Sequence, residues 1–296
     1  AAAFLMGLGY SFVNPATAKG VMRWFPVKWR GTAMGLKQLG VPLGGVLGAG
    51  GGVMAAYIDW RIVLWIAAGM TFVTALLWLP LTRKPTRGSG GIKSILSDLK
   101  VVVTNRNMNV IFISCAMFNT SQSSLSAYIA LFMRDAAQAS QPMAAIAVAF
   151  AQSASAFGRF GFSYLSDAVF GGRRKVVVIS VVLAGGLSCG AAYFVNPDWP
   201  YWGLMLLASV MGGTIASYAA LILSMTAETA PPSLVGSAIG YNAVAWSVGG
   251  VIGPPLFGQI LDWSNNDYGL AWVAMGIIML IGAAVMASNF REKAKG

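Results

Sequence analysis

The stretch MGLGYSFVNPATAKGVMRWFPVKWRGTAMGLKQLGVPLGGVLG, residues 6–48, lies without a gap over MGGTIASYAALILSMTAETAPPSLVGSAIGYNAVAWSVGGVIG, residues 211–253. At this offset of 205 (211 minus 6), Met6, Gly7, Pro26, Gly31, Ala33, Gly35, Gly44, Gly45, Val46 and Gly48 meet identical residues. Most of these are glycine and proline, which carry backbone geometry, so the repeated feature is a chain path. Six apolar runs fit within the offset. An even number gives both copies the same orientation in a membrane, as in two parallel six-helix halves related by an axis along the bilayer normal.

Nine such runs follow one another, at about 3–22, 31–56, 60–81, 108–133, 142–165, 176–195, 200–226, 234–260 and 268–289. Each is near or above the roughly 20 residues that carry a helix across a bilayer. With 57% apolar and 10% charged residues, the composition is that of an all-α polytopic membrane protein. Charge then orients the runs. Assigning alternate connections to the cytoplasm places Lys19, Arg23, Lys28, Arg30, Arg83, Lys84, Arg87, Lys93, Lys100, Arg106, Arg173, Arg174, Lys175, Arg291, Lys293 and Lys295 there. Lys37 and Arg159 fall in the cytoplasmic halves of their runs, leaving only Arg61 and Arg134 for the other side. The outer turns instead carry Asp59, Trp60, Asp135, Asp198, Trp199, Asp262, Trp263 and Asp267, with tryptophans suited to an interfacial belt. A bacterial inner membrane with a cytoplasmic C-terminus is the expected location.

The net charge of +11 has its cause in these loops beside an anionic leaflet, and no arginine-aromatic patch outside the runs suggests nucleic-acid binding. The chain has no histidine, which removes His-based metal sites and Ser-His-Asp or Cys-His catalysis. Cys115 and Cys189 sit inside apolar runs and read as buried thiols. No cofactor is implied, and an enzyme is disfavoured. A membrane receptor or scaffold is the rival from another class; it would carry a soluble output domain, for which residues 83–106 are too short. The chain starts AAAFLMGLG, inside an apolar segment, without an initiating Met or a signal-peptide pattern, and is expected to be a fragment.

The string LMGLGYSFVNPATAKGVMRWFPVKWRGTAMGLKQLGVPLGG resembles the fourth and fifth helices of the major facilitator superfamily, with Trp24–Gly31 as the intervening loop. GRFGFSYLSDAVFGGRRK, Gly158 to Lys175, is similar to that superfamily's loop signature between helices eight and nine, matched at Gly161, Asp167, Gly171, Arg173, Arg174 and Lys175. The resemblance covers the whole chain and maps its nine runs onto family helices four to twelve of an expected twelve, so the first bundle is incomplete. It implies a three-helix part of the first bundle at 1–82, a cytoplasmic connection at 83–106, the second six-helix bundle at 107–290 and a tail at 291–296. The implied activity is secondary transport of a small solute by alternating access. The KQ-x-GVPLGG style of the second run is similar to bacterial permeases for cyanate, nitrate or organic acids. The same segment departs from the glycine-proline pattern of drug-proton antiporters.

Charge in hydrocarbon costs about 2.5–3.5 kcal/mol on insertion scales, so intramembrane polar residues are the candidates for a substrate path. Lys37 stands seven residues past Arg30, about 10 Å along a helix. It either snorkels back to the interface or supplies, beside Gln38, a counter-charge for an anion; its repeat partner is the polar Asn242. Asn119, Gln122, Ser123 and Ser126 form one stripe, which either bonds other helices or lines the path. Tyr10, Asn14 and Thr17 form a similar stripe; Gln152, Ser217 and Tyr218 add further polar groups. The resemblance implies that Asp167, with Arg173 and Arg174, locks the cytoplasmic side, and that Arg159 acts as a gate residue. Glu228 and its repeat partner Arg23 suggest an inter-half pair at the same gate. The partners expected are a small anionic substrate, membrane lipid, and a coupling ion, either a proton or an exchanged anion.

Overall fold

Glycine spacing, proline placement and apolar length dictate a bundle of long helices. The computed structural model describes residues 2–54, 58–78 and 92–292. The ends of the second and third runs (55–56 and 79–81), the basic residues Arg83, Lys84 and Arg87, and the tail residues Lys293 and Lys295 lie outside the described residues. The helices are α1 (Ala2–Trp24), α2 (Arg30–Gln38), α3 (Gly40–Met54), α4 (Trp60–Trp78), α5 (Ile92–Val103), α6 (Arg106–Asp135), α7 (Gln141–Ala168), α8 (Arg174–Ala192), α9 (Tyr201–Ile215), α10 (Tyr218–Thr229), α11 (Val235–Trp263) and α12 (Tyr268–Asn289). No strand occurs among the described residues.

Among the described residues, six spans are long and apolar enough to cross a membrane, α9 and α10 together making one of them. A seventh arises if the 75° bent pair Ser97–Val103 and Arg106–Asp135 is counted as one. The run 31–56 is helical but divides at Leu39 into pieces of 9 and 15 residues. Pro42 lies behind that break. Its ring lacks an N–H and opposes the Gln38 carbonyl, so the chain restarts a helix with Pro42 in the first turn.

The repeat is visible in backbone angles. Pro26, at φ −63° and ψ 153°, leads into a 3-10 turn at Val27–Trp29; Pro231, at φ −56° and ψ 145°, leads into one at Pro232–Leu234. Trp29 and Leu234 then introduce α2 and α11 with nearly equal angles, −115°/8° and −103°/3°. The main core fills the C-terminal six-helix region around Phe118, Phe132, Phe257 and Trp272. The N-terminal helices lean on it at one end: α2 packs on α7 and α10, and α1 on α11. None of the spanning window of α4 is buried.

Glycine brings α6 and α11 together. A Cβ at Gly249 would strike the Ala116 carbonyl, and one at Gly253 the Thr120 carbonyl and Ser123 hydroxyl. Gly40 and Gly44, from the same glycine pattern, have nothing within 4 Å. At the acidic end Asp267 caps α12, accepting from Leu270 N at 3.0 Å, and Tyr268 donates to Asp135 Oδ2 at 2.7 Å. Gly253→Ala is expected to lower thermal stability by about 1–3 kcal/mol through overpacking. Gly240→Ala, where nothing lies within 4 Å, should be neutral or slightly stabilising. Melting of the purified protein in detergent checks both; equal melting temperatures would show that the α6–α11 contact is loose.

Candidate functional site

Two polar assemblies stand out, one at the basic end and one within the bundle. At the basic end α7 finishes with Ser166 and Asp167, and the turn to α8 runs through Gly171 and Gly172 at φ +58° and +81°. Only glycine takes such angles without steric penalty, and the turn delivers Arg174 as the first residue of α8. Its guanidinium Nη1 lies 2.5 Å from Asp167 Oδ1, and Nη2 lies 3.0 Å from Glu228 Oε1. Nη1 also donates to Ser166 Oγ at 3.1 Å. Both Asp167 and Arg174 have side chains 1% exposed.

The second oxygen of Asp167 leaves its own half of the molecule. Oδ2 accepts from Thr32 N at 2.6 Å and from Thr32 Oγ1 at 2.7 Å. Thr32 belongs to the first turn of α2, whose N–H groups have no partner inside the helix, so Asp167 serves as a cap supplied from another element. Gly31 makes the approach possible, because a Cβ there would collide with the Arg174 guanidinium. One turn on, Gly35 lies against Ser163 and the Arg159 carbonyl. A layer of apolar residues from both halves surrounds this contact: Ala18, Val21 and Met34 meet Leu223, Ala227 and Ile239, and Val102 of α5 joins them.

Within the bundle, Lys37 Nζ donates to Asn14 Oδ1 at 2.9 Å, with the pair partly buried. Gln38 is buried beside it on α2. Across from α3, Gln152 on α7 faces Gly45. Gln152, Ser126 and Ser155 line a cavity of about 40 Å³ with Gly212 and Ala216. Arg159, 3% exposed, donates from Nε to Ser155 Oγ at 3.3 Å.

The sequence-predicted residues therefore separate. Asp167, Arg174 and Glu228 meet; Arg173 is exposed as the residue before α8, and Arg23 is exposed while Glu228 bonds Arg174. Of the stripe on α6, Asn119 donates to the Trp246 carbonyl at 2.6 Å and Ser123 to Gly249 O at 3.2 Å, so both bond α11. Gln122 and Ser126 do not follow them: Gln122 Oε1 is buried without a partner, and Ser126 opens on the cavity. Tyr218 is fully buried against Phe118 and Trp246, and Asn242 is buried on α11 near Cys115. The Tyr10 side chain lies outside the described residues; Thr17 bonds its own helix at Val13 O. Thr32 and Ser166 were not legible beforehand. Thr32 carries a signal only in hindsight, as a hydroxyl in the first turn after a Pro26 turn.

The family profile described as Major Facilitator Superfamily matches residues 1–171 and 120–296, which together cover the chain. An uncharacterised transporter of this type from Mycobacterium tuberculosis is 25% identical over 287 residues, 94% of this chain and 61% of the relative. The chain therefore spans about three fifths of that protein's length. The 3-(3-hydroxy-phenyl)propionate transporter of Escherichia coli is 25% identical over 87% of this chain and 63% of its own. The hexuronate transporter of Bacillus subtilis is 22% identical over 95% and 70%. Among solved structures, the Escherichia coli fucose:proton symporter superposes with a TM-score of 0.74 at 14% identity, covering 95% of this chain and 74% of the symporter.

Asp167→Asn keeps the shape of the capping side chain and removes its charge. Hydrogen bonds to charged groups contribute about 1.5–3 kcal/mol, so the contact between α2 and α7 is expected to open at least about tenfold more often. The reporter is the reaction rate of Met34→Cys, a position 0% exposed, with a thiol reagent in a Cys115→Ser, Cys189→Ser background. An unchanged rate would reduce Asp167 to a helix terminator.

Proposed function

We infer that this chain, which belongs to the Major Facilitator Superfamily of transporters and not to an enzyme family, is the larger part of a secondary carrier for a small anion. The observation that carries the anion reading is the Lys37 ammonium. It is partly buried, and its partner is the neutral amide of Asn14. A cation removed from water and left without a counter-charge is costly, and an anionic solute entering beside it supplies that charge. Two relatives are named for hexuronate and for 3-(3-hydroxy-phenyl)propionate, both carboxylates at neutral pH, which supports the same class. Lys37, Asn14 and Gln38 would hold the anion from the N-terminal half. Gln122, Ser126 and Gln152 would face it from the other, with Asn119, Tyr218 and Asn242 shaping that wall.

The basic residues put the Asp167 end in the cytoplasm under the positive-inside rule. At that end α2 packs against α7 and α10. Alternating access then requires the Asp167–Thr32 cap and the Arg174 contact with Gly31 to break while a matching contact forms at the other end. Arg159 lies between gate and cavity, suited to sense both. Full-length architecture follows as two six-helix bundles, with 1–82 in the first, 83–106 as the connection, 107–290 as the second and 291–296 as the tail. The coupling partner is a proton or an exchanged anion, and the location is a bacterial inner membrane.

Orientation is checked by single cysteines at positions 90, 138 and 266: an impermeant thiol reagent applied to intact cells should label 138 and 266 only. Labelling at 90 would reverse the assignment. For the substrate class, Lys37→Gln in the complete carrier should lower kcat/KM for anion uptake by about a hundredfold or more, since a buried anion then loses its partner. Lys37→Arg should retain part of the activity, limited by the different reach of a guanidinium. Anion uptake unaltered in Lys37→Gln, or uptake restricted to neutral and cationic solutes, would overturn the reading.

A further inference from the structure

The four residues that follow the transmembrane part of α12 do not leave the protein. Asn107, at the start of α6, holds Arg291 in a reciprocal pair: its Nδ2 donates to Arg291 O at 2.8 Å, and Arg291 N donates to its Oδ1 at 3.2 Å. Arg106 reaches Asn289 Oδ1 at 3.4 Å. On the other side, Lys175 Nζ donates to Phe290 O at 2.8 Å and Lys175 N to Glu292 Oε1 at 3.4 Å. Phe290 is buried, 5% exposed, and anchors the segment in the core. Residues 289–292 thus form a strap joining the N-termini of α6 and α8.

Lys175 is the neighbour of Arg174, the arginine that aligns Asp167 and presses on Gly31. Between the strap and that arginine lies a cavity of about 220 Å³, bounded by Arg174, Glu228 and Thr229 on one side and Phe290, Arg291 and Glu292 on the other. We propose that Lys175 and the strap Asn289–Glu292 are a positioning device for the gate, holding the start of α8 so that Arg174 stays against Asp167 and Gly31. With the strap released, the first turn of α8 loses the Lys175 bonds to Phe290 O and Glu292 Oε1. Arg174 then has open space behind it, and the Asp167 cap on α2 loses its alignment. The strap lies wholly in the C-terminal half, so it does not bridge the two halves; it sets how well the bridge is made.

This inference rests on the reading of Asp167, Arg174 and Thr32 as a gate, and the test separates the two. The reporter is Ala227→Cys, 1% exposed in the apolar layer, in the complete carrier without Cys115 and Cys189, labelled from the basic side in inside-out vesicles. Lys175→Ala and Asn107→Ala, lesions at opposite ends of the strap, should each raise the labelling rate about five- to tenfold, as loss of one or two hydrogen bonds predicts. Lys175→Arg, which keeps the donor, should restore most of the closure, and both alanine variants should insert and purify in wild-type yield. Wild-type labelling in both alanine variants, alongside increased labelling in Asp167→Asn, overturns the strap and leaves the gate standing. A rise in Lys175→Ala alone also overturns it, since the strap must act from either end. Wild-type labelling in all three overturns gate and strap together.

Discussion

A carboxylate leaves water only when other groups replace its hydration, and Asp167 has that exchange made on both oxygens. One faces the Arg174 guanidinium at 2.5 Å; the other takes the Thr32 amide and hydroxyl at 2.6 and 2.7 Å. Removing the Arg174 guanidinium would leave the buried carboxylate without its counter-charge, at a penalty of about 3–5 kcal/mol. The geometry is correspondingly selective. It exists only where the end of α7, the start of α8 and the start of α2 meet. The same carboxylate therefore joins two elements of the C-terminal half to one of the N-terminal half.

Close approach at that point depends on what is missing as much as on what is present. Gly31 has no Cβ to hold the guanidinium off, and Gly35 lets α2 settle on the Ser163 edge of α7. In a bilayer, apolar side chains gain little by leaving lipid for one another, so helix pairs rely on such small-residue contacts and on hydrogen bonds. The contrast between glycines is informative. Gly249 and Gly253 join α11 to α6 inside one half, a fixed packing seam, whereas Gly31 and Gly35 join α2 to α7 and α8 across the halves. Under the proposed function, the second kind would have to come apart.

Much of the framework was legible in the chain because it is encoded locally. The 205-residue offset predicts matched proline turns, and Pro26 and Pro231 lead into turns with nearly the same angles. Asp167, Arg174 and Glu228 were marked out beforehand, the first two by the family resemblance and Glu228 by its place in the repeat opposite Arg23. Their wiring was not. The repeat pairs Glu228 with Arg23, yet Glu228 bonds Arg174, since which charges meet depends on how α8 and α10 turn toward each other. The stripe on α6 allowed two readings, bonding another helix or lining a path, and its residues divide: Asn119 and Ser123 bond α11, Ser126 opens on a cavity and Gln122 Oε1 is buried without a partner. A helical wheel cannot distinguish a neighbouring helix from water. Thr32 escaped notice because its partner comes from 135 residues away.

The division at Leu39 links the two polar assemblies. α2 is only nine residues long, bounded by the Pro26 turn on one side and by the Pro42 break on the other. Thr32, which receives the Asp167 cap, and Lys37, whose ammonium reaches Asn14, lie five positions apart on it. A hydrogen-bonded α-helix has no soft torsion between such positions, because each backbone angle is fixed by a bond to the next turn. The compliant points lie outside, in the turn at 27–29 and at Leu39. Any displacement that withdraws Thr32 from Asp167 therefore carries Lys37 with it and alters the distance from its ammonium to Asn14 on α1. Under the proposed function, the Asp167–Thr32 contact and the Lys37 ammonium would be two ends of one short lever, and an anion bound at Lys37 would be felt at Asp167 without any further relay.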